Sequence, residues 1–313
     1  MGQIAFVFPG QGSQTAGMGK ALHDSFESSR SLFAEADAAL GFPLSQLCFQ
    51  GPNDQLKLTE NTQPAILAVS TAACRVLAEA GVRPDFVAGH SLGEYSALVA
   101  ANSLSLSDAL RVVRKRGTYM QESVPVGQGA MAAILGLTAD QVEALCREAA
   151  QGEVLSPANL NSPSQIVIAG AAAAVDRALH LAKSHGARKA VQLSVSAPFH
   201  CALMEPAQQR LAKDLEQISF RNPEPALINN ADAAEIRSGD AIGDSLSRQI
   251  CSPVRWTESI QRLISAGVHL FVEVGPGKVL SGLIRQIDRA VRTANVENPQ
   301  SLAQTLETIK SLG

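Results

Sequence analysis

The chain has 313 residues, 46% hydrophobic and 18% charged, the profile of an ordinary globular protein with room for one large or two modest domains. Its formal net charge of −3 lacks the basic excess of a nucleic-acid binder, and its five cysteines include no C-x-x-C pair, which argues against a disulfide framework or zinc site and for a reducing compartment. The first residues have no basic lead, Phe6 stands where a myristoylation motif needs Ser or Thr, and no stretch reaches the roughly 18 apolar residues of a membrane span, so neither secretion nor a membrane is expected.

In chain order, Ile4–Phe8 reads as a strand. Helical patterns follow near Gly19–Leu40 and Gln63–Ala80, the second closed by Gly81 as a C-terminal cap. "PDFVAGHSLGEYSALVAA" is an apolar run, a tight turn and a helical stretch from Leu92. Ser107–Glu122 reads as a helix with Leu106, Leu110, Val113, Gly117 and Met120 on one face. From Gly129 to Val195 the rhythm changes to β-α-β-β-α-β, a self-contained ferredoxin-like order. Its ends would lie close together, so it can be an insertion in a larger α/β domain. The expected division is residues 1–127 with 197–313 as the large domain and 128–196 as the insert. The large domain ends with the strand "LFVEVG", a helix from about Lys278, the strand "RTANV" and a terminal helix.

The glycine-rich "FVFPGQGSQTAGMG" after the first strand invites a phosphate-loop reading. It fails both patterns: Thr15 stands where the dinucleotide fingerprint needs its third Gly, and Gln14 and Ala21 break the P-loop. Gly89-His90-Ser91-Leu92-Gly93 matches G-x-S-x-G in the strand–turn–helix context of a nucleophile elbow. Flanking glycines allow the sharp turn, and Ser91 would then sit at a helix N-terminus that favours developing negative charge. A serine hydroxyl needs a base, usually His. His23, His180 and His185 fall in helical segments with polar neighbours, His269 at a strand edge, and His90 points to the strand face opposite Ser91. His200, in the Pro-containing loop "SAPFHCALM", remains. No acid partner is apparent between Ser91 and His200, so a backbone or amide carbonyl would have to orient the imidazole. On the helix from Ser107, Arg116 falls beside Val113 and Met120, either snorkelling or presented to an internal anion.

Taken together, "FVFPGQGSQ", "TQPAIL", "GHSLGEYSALVAA", "RKRGTYMQ", "GAMAAILGL", "SAPFHCALM", "SPVRWTESI" and "EVGPGKVLSGL" resemble the malonyl-CoA:acyl carrier protein transacylases of dissociated fatty-acid synthesis. More widely they resemble the acyltransferase domains of polyketide synthases. The resemblance implies an α/β-hydrolase-like domain with a ferredoxin-like insert. It implies Ser91 as nucleophile, His200 as general base and the backbone carbonyl of Gln249 as the group that orients His200. The backbone N–H groups of Gln11 and Leu92 would form the oxyanion hole, and Arg116 would hold the malonyl carboxylate. Gln63 and Phe199 would line the acyl pocket, and Asn159 and Asn161 would lie near the pantetheine arm. Asn102 in "AANSLSL" departs from a usual glycine, with only a local loop effect expected.

The implied reaction is ping-pong transfer of malonyl from malonyl-CoA to the phosphopantetheine thiol of acyl carrier protein through a malonyl-serine. It needs no cofactor beyond the coenzyme A thioester substrate and belongs in the cytoplasm. Arg188 and Lys189 are the expected contact for an acidic carrier, with Arg285, Arg289 and Arg292 as a second basic spot. A serine thioesterase, a silent carrier-binding subunit and an acyltransferase serving a polyketide pathway in trans are the alternatives.

Overall fold

The computed structural model describes residues 3–195 and 197–311. Ser196, which opens "SAPFHCALM" and ends the expected insert, lies outside the described residues, as do positions 1–2 and 312–313.

The chain is a mixed α/β protein built on two sheets. The strands of the first are β1 (Gln3–Phe8), β2 (Phe86–Gly89), β7 (Ala226–Ile228), β8 (Glu235–Ile236), β9 (Val268–Val274) and β10 (Arg292–Val296). They lie in the order β10-β9-β1-β2-β7-β8, parallel except for the edge strand β8. The central strands read as near-continuous apolar runs because helices cover both faces of a parallel sheet. Phe6, Phe8, Val87, Leu270 and Val272 face one core, and Ala5, Val7, Ala88, Ile228 and Phe271 face the other. Register pairs Phe8 with Gly89, so the glycine-rich loop and the serine turn leave the sheet side by side.

The second sheet comprises β3 (Gly129–Leu135), β4 (Leu155–Ser162), β5 (Gln165–Ala171) and β6 (Lys189–Gln192), all antiparallel in the order β4-β5-β3-β6. Helices Ala139–Ala150 and Ala172–Leu181 cover one face, with Ile134, Val142, Leu145, Ile168 and Val175 in the core between. Thr138 and Gln141 close a reciprocal capping box at the first of these helices. The small sheet is joined through β4 to the segment entering the helix Trp256–Ser265: Leu160 N–H donates to Val254 O and Val254 N–H to Ala158 O.

Several boundaries differ from expectation. The helix expected over 19–40 is two helices, Lys20–Ser25 and Glu27–Leu40, separated at extended Phe26. Arg30 stabilises the break by donating to the carbonyls of His23 and Asp24, which the first helix leaves exposed. After two short helices, Leu44–Gln50 and Asn53–Leu56, the helix expected from Gln63 starts at Thr59 and runs to Glu79, with Pro64 inside it. Its end is as expected: Gly81 (φ 80°) takes the left-handed position, Gly81 N–H donates to Ala78 O and Val82 N–H to Leu77 O, a Schellman cap. Asn102 also takes a left-handed conformation (φ 55°), one that Asn tolerates better than most side chains.

Candidate functional site

Ser91 occupies the turn between β2 and the helix Gly93–Ala100, with a left-handed backbone (φ 52°) that costs a non-glycine residue on the order of 1 kcal/mol or more. The flanking glycines are sterically required. A Cβ on Gly89 would lie 1.9 Å from the Gly93 carbonyl carbon, and one on Gly93 would lie 2.0 Å from Phe8 O. Asn230, after β7, holds the strained turn from both sides: its Oδ1 accepts from Ser91 N–H at 2.6 Å and its Nδ2 donates to Gly89 O at 2.6 Å.

His200 reaches the same point from the chain returning from the small sheet, also with a left-handed backbone (φ 61°). Its Nε2 is 2.7 Å from Ser91 Oγ, and its Nδ1 is 2.9 Å from Gln249 O. A carbonyl can only accept, so Nδ1 carries the proton and Nε2 is free to accept from the serine hydroxyl. No carboxylate is needed to set that tautomer. Burial pushes the His200 pKa down to about 3, with the Arg116 charge adding to it, so the imidazole is neutral at physiological pH.

Arg116 is not a surface snorkel. It is 1% exposed, on the helix Leu106–Glu122 that Ser105 caps. Gly117 allows that helix to pass close, since a Cβ there would lie 2.7 Å from Thr59 O. The guanidinium donates from Nη1 to Gln63 Oε1 (2.9 Å) and from Nη2 to Gln249 Oε1 (2.9 Å) and Ser91 Oγ (3.1 Å). Its Nε is buried without a partner. All three acceptors are neutral, so a full positive charge stands beside the Ser91 hydroxyl with no direct carboxylate partner, an arrangement suited to an incoming anion. Burial lowers the Arg116 pKa, yet a guanidinium remains charged at any physiological pH.

The glycine-rich loop lies against the serine turn. His90 N–H donates to Phe8 O, and a Cβ on Gly10 would lie 2.5 Å from His90 O. The backbone N–H groups of Gln11 and Leu92 donate to no other described residue. Phe199, beside His200, is buried in the main core. Asn161 Oδ1 is 2.8 Å from His90 Nε2, and Asn159 presents a buried Oδ1 with no partner. Asn161 is thus bonded to the side chain that precedes Ser91 in the turn, His90, whose ring packs on Trp256 and whose pKa burial lowers. Arg188 and Lys189 stand apart, exposed at the start of β6, with the Arg188 side chain packed over Gly136. Arg285, Arg289 and Arg292 are likewise exposed.

Two polar residues of the site were not singled out from sequence. Glu94 sits within "GHSLGEYSALVAA", and Asn230 follows the apolar run of β7 in "INNAD". The signal available for Glu94 was a carboxylate on an otherwise apolar helix, and for Asn230 a polar pair at the carboxyl end of a buried strand, where open α/β sheets place their ligands. Among the described residues no group of His, Cys, Asp and Glu could hold a metal ion, and no helix is long and apolar enough to cross a membrane.

Residues 5–307 match the acyl transferase domain family. The malonyl CoA-acyl carrier protein transacylase of Escherichia coli strain K12 is 49% identical over 98% of this chain and 100% of its own. That of Bacillus subtilis strain 168 is 47% identical over 99% and 98%. Among solved structures, the malonyl CoA-acyl carrier protein transacylase of Coxiella burnetii superposes with a TM-score of 0.96 at 43% identity, over 98% of both chains. A type II PKS acyl-carrier protein in complex with its malonyl-transacylase matches with a TM-score of 0.95 at 46% identity, over 98% of this chain and 99% of that one. The chain belongs to the acyl transferase family, among the malonyl CoA-acyl carrier protein transacylases.

Proposed function

We propose that this protein transfers a malonyl group from malonyl-CoA to the phosphopantetheine thiol of acyl carrier protein, supplying chain elongation in fatty-acid synthesis. The observation that carries the reading is a buried, carboxylate-free guanidinium hydrogen-bonded to a serine that is itself in contact with a correctly oriented histidine. Ordinary esterase chemistry has no use for that guanidinium; an acyl group ending in a carboxylate does.

Ser91 Oγ attacks the thioester carbonyl as its proton passes to His200 Nε2. The carbonyl oxygen becomes an oxyanion that accepts from the Gln11 and Leu92 N–H groups, preorganised donors of the kind worth roughly 3 kcal/mol each to a transition state. The C–S bond breaks, and His200 returns the proton to the departing coenzyme A sulfur. The carrier thiol then gives its proton to His200 and attacks the malonyl-serine ester, regenerating Ser91. Arg116 holds the malonyl carboxylate throughout. That carboxylate offsets the guanidinium charge which depresses His200, so the base strengthens when the right acyl group is bound. Gln63 and Phe199 shape the acyl pocket, and Asn159 and Asn161 line the pantetheine approach. The chemistry calls for no cofactor and suits a cytoplasmic enzyme. Arg188 and Lys189 are our candidate contact for an acidic carrier.

We read the parallel sheet as α/β-hydrolase-like, formed by residues 1–127 and 197–313, and residues 128–196 as a ferredoxin-like insert, supported by the strand orders of the two sheets.

The test is mass measurement of the intact protein after mixing with malonyl-CoA, then with holo carrier. A malonyl adduct on the wild type, absent from Ser91→Ala and discharged by the carrier, is expected. Release of free malonate faster than transfer to the carrier would instead identify a thioesterase.

A further inference from the structure

Glu94 is 1% exposed, three residues beyond the nucleophile. Its Oε2 accepts from Asn230 N–H at 2.9 Å and from Gln249 Nε2 at 2.8 Å, while Oε1 is buried with no partner. On the far side of the same Gln249 amide, Oε1 accepts from Arg116 Nη2 at 2.9 Å. The buried cation and the buried anion therefore do not touch. A neutral amide spans them, oxygen toward the guanidinium and nitrogen toward the carboxylate. Turning the amide over would set donor against donor at Arg116 and acceptor against acceptor at Glu94, so the two charges permit one orientation.

We propose that Glu94 is a positioning residue for acyl-group selection: its carboxylate fixes the Gln249 amide, which in turn holds the Arg116 guanidinium where it meets the carboxylate of the acyl group. The inference rests on the malonyl-clamp role given to Arg116 above. Without the carboxylate, Gln249 Nε2 keeps only Ser91 O (3.1 Å) and a long contact to Asn230 Oδ1 (3.5 Å), and the amide is free to rotate away from Arg116. The loss falls on a substrate that carries a carboxylate and much less on one that does not.

The charge on Glu94 is adjustable near neutral pH. Burial pushes its pKa up to about 7 against the lowering effect of its bonds to Gln249 and Asn230 and of the Arg116 charge. Asp232 is the other charged group whose field reaches it, in the raising direction, and the neighbouring Tyr95 phenol is kept neutral by burial. Charged acceptors hold their donors about twice as strongly as neutral ones, so the anchor strengthens as pH rises through that range.

The experiment compares kcat/KM for malonyl-CoA and acetyl-CoA in the full chain between pH 6 and 8, for wild type, Glu94→Ala and Glu94→Gln. In Glu94→Ala the malonyl-to-acetyl ratio should fall roughly ten-fold or more, mostly through KM for malonyl-CoA. In Glu94→Gln the amide oxygen can replace Oε2 toward both donors while its nitrogen takes the place of the unpartnered Oε1. Its ratio should be independent of pH and match that of the wild type at pH 6, whereas the wild-type ratio rises toward pH 8. Phosphate titration of coenzyme A is common to both substrates and cancels. A folded Glu94→Ala with the wild-type ratio overturns the proposal. If that variant does not fold, a Glu94→Gln profile with the wild-type slope overturns it. A wild type without malonyl preference at any pH would instead remove the Arg116 reading on which it rests.

Discussion

The surroundings of Ser91 and the outer strand of the small sheet hold the same cationic chemistry in opposite settings. Arg116 is buried, donates to three side-chain oxygens of separate elements, and cannot move without disturbing Ser91, Gln63 or Gln249. Arg188 and Lys189 stand exposed at the free edge of the four-stranded sheet, where water and salt screen their charges. A buried charge is worth much because leaving water is costly and its partners must be exact; an exposed one acts mainly on encounter rates.

The contrast breaks first at Arg116. In Arg116→Ala the malonyl-over-acetyl preference should drop about 100-fold, the scale of losing a buried charge pair with the substrate, read as kcat/KM for the two thioesters. A preserved preference would place the carboxylate elsewhere. The second effect concerns pH. Because His200 is held to about 3, below its ordinary value of 6.5, the free enzyme should keep its base through pH 5.5, and in Glu94→Gln, where the Glu94 titration is removed, kcat/KM for malonyl-CoA should show no histidine limb near 6.5. Unfolded His200 takes up a proton below 6.5 while the folded one does not, so this contribution is fully present above 6.5 and is lost as pH falls toward 3. Melting temperature against pH should therefore decline more steeply below 6.5 in the wild type than in His200→Gln. The smallest effect belongs to the edge. Arg188→Ala with Lys189→Ala should slow transfer to an acidic carrier a few-fold at low salt and leave acylation by malonyl-CoA unchanged. Equal transfer rates at low salt would move the carrier contact away from β6.

Much of this was legible before folding. The central strands announce themselves as apolar runs, the helix Leu106–Glu122 by its apolar period and the end of the helix Thr59–Glu79 by the capping Gly81, since these signals are local. The break at Phe26 was not, because it depends on Arg30 reaching back to two carbonyls, nor was Pro64 inside a helix, because proline ordinarily marks a first turn. The glycines of the serine turn signalled a sharp bend, but only the approach of Phe8 O and the Gly93 backbone shows that nothing larger fits.

Sequence by itself determined the chemical parts: a serine in a strand-to-helix turn, a histidine in a loop far along the chain, and an arginine beside the apolar face of its helix. Tertiary structure alone decided how those parts are charged and oriented. It brought residues 91, 116, 200 and 249 within hydrogen-bond reach, set the Gln249 carbonyl against His200 Nδ1, and buried Arg116 against neutral oxygens. It also drew Glu94 and Asn230 beneath the site. The physical reason is that burial and hydrogen-bond geometry belong to contacts between distant segments, and no local pattern records which neutral group will face a given charge.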